Sequence, residues 1–311
     1  MGNQSVQLSK LINMQNPESV IEEVKALTVA MLRKLDFDPI EEAYRDIIKL
    51  FSGTYPGYRE CNTMYHDLKH TTDTIMAMAR LLHGAQVRGV FLDGSSITLG
   101  LISALMHDAG YIQDASDQIG TGAKYTIVHI SRSIEFMRQY FIEKGYSRED
   151  FRKCRNALLC TGLNAEVGRI RFESKENRLI GEMLGVADLL GQMADRTYLE
   201  KLPFLFLEFK EASVLGYEDE LDFLKKTFPF YRATKKRFEY ELGGVNAYMR
   251  DHFKARWDID HDLYLDTIDK QMAYLEAVLG IKDGNHRDFF RREGLIEKLI
   301  QREAELENGS S

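Results

Sequence analysis

Apolar residues recur every three or four positions over most of this 311-residue chain, and only five prolines interrupt the pattern. That spacing lines one face of a helix and does not match the two-residue alternation of a strand. An all-α fold, a bundle of many helices, is the expectation. Asn16-Pro17 opens the first helix with a capping side chain and a proline in the first turn, and Val20, Val24, Leu27, Met31 and Leu32 continue its apolar face. Asp38-Pro39 repeats the device for a helix that runs to Phe51 and stops at the loop Ser52-Gly53-Thr54-Tyr55-Pro56-Gly57. Further helices are expected over 66–83, 96–107, 122–143, 147–160, 175–201, 262–279 and 289–305. The chain reads as one structural domain: N-terminal helices over 1–50, a central unit over 51–280, and a closing helix and tail over 281–311.

Composition narrows the function classes. A net charge of −7 argues against general nucleic-acid binding, which needs a concentrated Lys/Arg face to neutralise phosphates. Three cysteines, Cys61, Cys154 and Cys160, are an odd number without CxxC spacing, so neither a disulfide framework nor a zinc ribbon is indicated, and a reducing cytosol is the expected compartment. No apolar run reaches the roughly 18 residues of a spanning helix, and the N-terminus has no basic segment followed by an apolar one. A soluble cytoplasmic protein is expected, with charged C-terminal helices able to pack on a second copy as a homodimer.

Two short stretches carry the chemistry: Tyr65-His66-Asp67-Leu68-Lys69-His70 and Met106-His107-Asp108-Ala109-Gly110. Residues four apart share a helical face, which would aim His66 and His70 at one point. His107-Asp108 ends the apolar run Leu99–Met106, where an imidazole and a carboxylate cost several kcal/mol unless paired or bound to metal. Asp188 likewise sits among apolar neighbours, in Gly185-Val186-Ala187-Asp188-Leu189-Leu190-Gly191.

The order His70, His107-Asp108, Asp188 resembles the H…HD…D pattern of the HD-superfamily metal-dependent phosphohydrolases. Tyr65-His66-x-x-x-His70 with Asp73 is similar to the YHNxxHAxDV segment of cyclic-nucleotide phosphodiesterases, and Ala187-Asp188-Leu189 to their later metal-binding aspartate. Tyr111 and Gln113 stand where those enzymes continue HDxxHxG, so His-Asp-Ala-Gly is closer to the HDxG form of other HD-family hydrolases. The resemblance spans roughly 65–198. It implies an HD-domain, phosphodiesterase-like bundle in which His70, His107, Asp108 and Asp188 hold a first metal, Asp108 bridges to a second, and His66 protonates the leaving oxygen. A bridging carboxylate would hold two ions about 3.5–4 Å apart with water between them. Such mixed ligation does not choose among Mn, Fe, Zn, Mg and Ni.

Five further side chains are candidates around this centre. His129 is placed to bind the second metal or to contact substrate phosphate. Gly120-Thr121-Gly122-Ala123-Lys124 precedes a helix bearing His129, Arg132 and Ser133, and N–H groups at a helix start attract anions, which marks Lys124 and Arg132 as phosphate contacts. Gln192, one turn beyond Asp188, is placed to read a base. Asp73 is placed to orient an imidazole through its second nitrogen, with a salt bridge to Lys69 as its alternative. The expected activity is hydrolysis of a small nucleotide-like phosphoester, including a 3′,5′-cyclic diester. Competing functions are a di-iron oxygenase on the same fold and a non-catalytic nucleotide-binding sensor. The aromatic run Phe204–Phe209 reads as packing.

Overall fold

Helices that are buried on nearly every side, rather than along one stripe, form the centre of this protein. The computed structural model describes residues 6–162, 165–281 and 284–309. Among them the helices are α1 (Pro17–Met31), α2 (Asp38–Phe51), α3 (Leu68–Val87), α4 (Gly94–Met106), α5 (His129–Lys144), α6 (Arg148–Leu158), α7 (Lys175–Met193), α8 (Tyr198–Glu211), α9 (Glu220–Tyr240), α10 (Tyr248–Trp257), α11 (Leu263–Leu279) and α12 (Leu295–Gly309). α3 is buried almost continuously from His70 to Leu82, α4 from Leu99 to Met106 and α7 from Ile180 to Gly191, the signature of helices surrounded by protein. α3 packs on α7, α10, α1 and α4, and α7 also meets α6, α4 and α11. One continuous apolar core runs through the chain, so the N-terminal helices and α12 belong to the same body as the centre.

The all-α expectation holds, with two isolated β-bridges, Ser52 to Glu60 and Tyr58 to Asp114, as the only pairing among the described residues. Local start signals work where side chains reach backbone donors. Asn16 accepts from the Glu18 N–H at 2.9 Å, and Ser147 forms a reciprocal capping box with Asp150. Asp38 does not cap; it lies inside α2, behind Phe37, and its own N–H is taken by Asp36 at 3.1 Å. Two expected helices are broken. The 122–143 segment forms a 3-10 turn, Gly122–Tyr125, and only then α5. The 175–201 segment ends at Met193, because Asp195 captures the Thr197 N–H and side chain in a turn that redirects the chain into α8. The last expected helix begins later, at Leu295, after two 3-10 turns.

Cys61, Cys154 and Cys160 are free thiols, and among the described residues no helix is long and apolar enough to cross a membrane. His83 and His252 face each other across the α3–α10 contact, Nδ1 to Nδ1 at 3.2 Å. That contact is unusually close: a Cβ added at Gly84 would lie 1.9 Å from the Tyr248 carbonyl oxygen. Inside a helix, replacing glycine with alanine ordinarily stabilises by roughly 0.5–1 kcal/mol. Here Gly84→Ala should instead destabilise, by about 1–3 kcal/mol of overpacking, seen as a lower urea midpoint; a raised midpoint would show that α10 yields freely.

Candidate metal centre

α3, α4 and α7 bring four donors from distant parts of the sequence to one buried point. His70 Nε2 lies 3.2 Å from His107 Nε2, 3.3 Å from Asp108 Oδ2 and 3.2 Å from Asp188 Oδ1. His107 Nε2 lies 3.3 Å from the same Asp108 oxygen and 3.8 Å from Asp188. His70, His107 and Asp108 form a buried group whose donor atoms all fall within 4.8 Å of one another, a set that can hold a metal ion, and Asp188 borders it through both histidines. Asp108 Oδ2 has no hydrogen-bond partner despite full burial. An orphaned carboxylate oxygen facing two imidazole nitrogens is the arrangement a cation would satisfy, and the mixed N/O donor set fits a metal ion.

The electrostatics agree. Burial opposes charge on His70, but the Asp108 and Asp188 carboxylates beside its Nε2 outweigh it and push the ring up to about 10. His107 is raised in the same way, against burial, chiefly by Asp108. Asp108 is held well below the usual carboxylate range; burial opposes this, and His107 and His70 overcome it. The site therefore attracts positive charge strongly, whether protons or metal.

The ligand rings are oriented by the backbone. His107 Nδ1–H donates to the Ala104 carbonyl at 2.8 Å, which leaves Nε2 as the free donor atom. His129 repeats this with the Thr126 carbonyl at 2.6 Å, and its Nε2 lies 3.8 Å from Asp108 Oδ1. The two oxygens of Asp108 thus face two different imidazole groups. Burial lowers the pKa of His129, which favours its neutral ring. Gly110 makes this possible, because a Cβ there would lie 2.0 Å from the His129 carbonyl oxygen and 2.7 Å from the Ser133 nitrogen. The glycine of the His-Asp-Ala-Gly motif is what lets the start of α5 approach Asp108.

His66 reaches the site by a different route from the one its spacing implies. α3 begins at Leu68 with Asp67 as its cap, so His66 and His70 do not share a helical face. His66 precedes the helix, and its ring still comes within 6.1 Å of His70, centroid to centroid. Its Nδ1 donates to Glu208 Oε2 at 2.6 Å, while Glu208 Oε1 accepts from the Met64 and Tyr65 N–H groups at 3.0 and 2.8 Å. Tyr111 stacks between His66 and His129, at 4.2 and 4.7 Å, with its hydroxyl 3.4 Å from His66 Nε2. Neither Glu208 nor Tyr111 was expected from the sequence. Glu208 interrupts the aromatic run Phe204–Phe209, and a lone carboxylate there called for a partner, as Asp188 did.

The other four candidates make contacts different from those expected. Gln192 points back at it, donating to Asp188 Oδ1 at 3.2 Å and accepting from the Tyr65 hydroxyl at 2.8 Å; it buttresses a ligand instead of reading a base. Asp73 pairs with Lys69 at 2.6 Å and touches no imidazole, while His70 Nδ1 has no partner. Desolvation in this buried cluster pushes Asp73 up to about 6. Lys124 is bound to Asp117 and the Ile119 carbonyl. Arg132 clamps the turn after Asp108, donating to the Gly110 and Ile112 carbonyls at 2.8 and 2.9 Å. The Gly120–Lys124 segment is no anion cradle either: Glu211 takes the Thr121 N–H and hydroxyl, and Asn62 takes the Gly122 N–H. A cavity of about 440 Å³ lies elsewhere, beside α11, so donor chemistry and not volume marks this centre.

Asp108→Asn and His107→Ala should each abolish retention of a divalent transition ion, as read by elemental analysis after dialysis; stoichiometric metal in both would exclude this centre. Because the metal must displace a proton from His70 at any pH below about 10, affinity should rise with pH, by about tenfold per unit just above neutrality in calorimetric titrations. A flat profile would show that His70 is not a ligand.

No curated protein and no solved structure matches the chain. A family model does, over residues 17–242, a stretch that contains every residue of the centre. The chain belongs to the Npun_R2479-like family.

Proposed function

We propose that the protein is a divalent-metal phosphohydrolase with an HD-superfamily ligand set, acting on a small nucleotide-like phosphoester. The observation that carries this reading is the position of Asp108. One carboxylate oxygen faces His70 and His107 and the other faces His129, with the His66–Glu208 pair alongside. His70, His107, Asp108 and Asp188 would hold one ion, and His129 with Asp108 a second. When bound, such ions neutralise phosphoryl charge and lower the pKa of water toward neutrality.

The chain's own residues handle the remaining proton. Glu208 fixes Nδ1 of His66 as a donor, which makes Nε2 the atom able to give a proton to a departing oxygen. Two backbone N–H groups hold Glu208 itself, so the pair is anchored on α8 and on the strap before α3. Tyr111 fixes the ring plane by stacking. Asp108 and Asp188 lie too deep to meet solvent broadly, which excludes competing water from the charged centre.

Manganese-loaded protein should release product from at least one of a 3′,5′-cyclic nucleotide, a nucleoside monophosphate or a generic phosphodiester. Asp108→Ala should abolish turnover; an unchanged rate in that variant would refute the assignment. His66→Ala should lower kcat by about 10²–10⁴ while leaving metal content intact. Glu208→Gln should show a smaller loss in the same step. Oxygen consumption by iron-loaded protein without phosphoester cleavage would favour an oxygenase, and tight nucleotide binding without turnover a sensor.

A further inference from the structure

We propose that the cavity beside α11 is a second ligand site, shaped for a nucleoside monophosphate or a similarly built phosphorylated molecule. Its volume is about 440 Å³, within the roughly 300–1,000 Å³ of small-molecule pockets. The N-terminal 3-10 turn, Leu8–Lys10, closes one side, and the turn between α7 and α8 closes another.

Gln271 is buried at the cavity, and its Nε2 donates to the Met193 and Asp195 carbonyls, both at 2.9 Å. These two acceptors fix which end of the amide is the nitrogen. Its Oε1 is therefore left without a partner, a buried acceptor beside the cavity that a ligand N–H or O–H would satisfy on displacing the atoms that cover it. The walls are cationic. Lys10, Arg196 and Lys270 have no ion-pair partner among the described residues, and Arg292 adds a fourth cation, shared with Glu200 at 3.8 Å. Against them stands a single lining carboxylate, Asp266. Tyr274 is pinned at the rim by its hydroxyl, which donates to the Phe289 carbonyl at 2.8 Å, and it offers a ring for a base to pack on. An anionic group, a hydrogen-bond donor and a planar face are together the chemistry of a nucleotide.

This inference does not depend on the hydrolytic reading, and its test keeps the two apart. Full-length Asp108→Ala protein in EDTA is titrated calorimetrically with the four nucleoside monophosphates, with inorganic phosphate, and with adenosine. At least one monophosphate should bind at one equivalent, about tenfold or more tighter than phosphate or adenosine alone, and should weaken as salt rises. The exposed pair Arg196→Glu and Lys270→Glu, combined in one variant, should lower that affinity by about tenfold or more with unchanged thermal stability. Gln271→Met, which removes the free acceptor at similar side-chain volume, should lower it as well. Failure of all four monophosphates to bind, or binding that both variants leave unchanged, would overturn the proposal.

Discussion

A carboxylate buried without a hydrogen-bond partner for one of its oxygens is the constraint around which this structure is arranged. Asp108 sits at the end of α4, one of the most apolar segments of the chain, and its Oδ2 finds only imidazole nitrogens. Burying such a charge is costly unless positive charge accompanies it. The three central helices deliver that compensation: α3 supplies His70, α4 supplies His107 beside Asp108 itself, and α7 supplies a second carboxylate that also attracts a cation. Packing between the central helices and the capacity to hold a cation are therefore two aspects of one arrangement.

Around that point, orientation is supplied repeatedly by short backbone contacts. His107 and His129 each donate Nδ1–H to a carbonyl three residues earlier, so both present Nε2 inward. Beneath His70 lies a second buried charge cluster, in which Lys69 meets Asp73 and Asp195, and Lys201 meets Asp67. Asp67 is also the cap of α3, through the His70 N–H at 2.9 Å. Through these pairs the turn after α7 and the first residues of α8 hold the strap that carries His66. The same turn borders the cavity beside α11 through Arg196 and the carbonyls that fix Gln271.

The sequence and the structure part company where a local pattern meets a competing local bond. Ser147 and Asn16 cap as their spacing implies, since nothing else claims the backbone donors. His66 and His70 have helical spacing, yet Asp67 accepts the His70 N–H and starts the helix between them. Thr121 and Gly122 offer N–H groups, yet Glu211 and Asn62, distant in sequence, already occupy them. Arg132 was placed on the right helix, but its guanidinium turns back to carbonyls of the Asp108 turn. Gln192 was placed on the right face of α7 and supports a ligand there. In each case the element or its neighbourhood was legible, and the direction of the side chain was not.

What the sequence determined by itself is the helical class, the apolar run Leu99–Met106, and the polar residues set among apolar neighbours, His107-Asp108 and Asp188, that require a partner. Those follow from periodicity and from the cost of burying charge, both of which act over a few residues. Only the tertiary structure decided which partners they meet: Glu208 comes to His66 across 142 positions, and His129 comes to Asp108 because Gly110 leaves room for α5. Helix packing sets those meetings, since the approach of two helices depends on shape along their whole contact and on small residues at the crossing, which no short window of sequence contains.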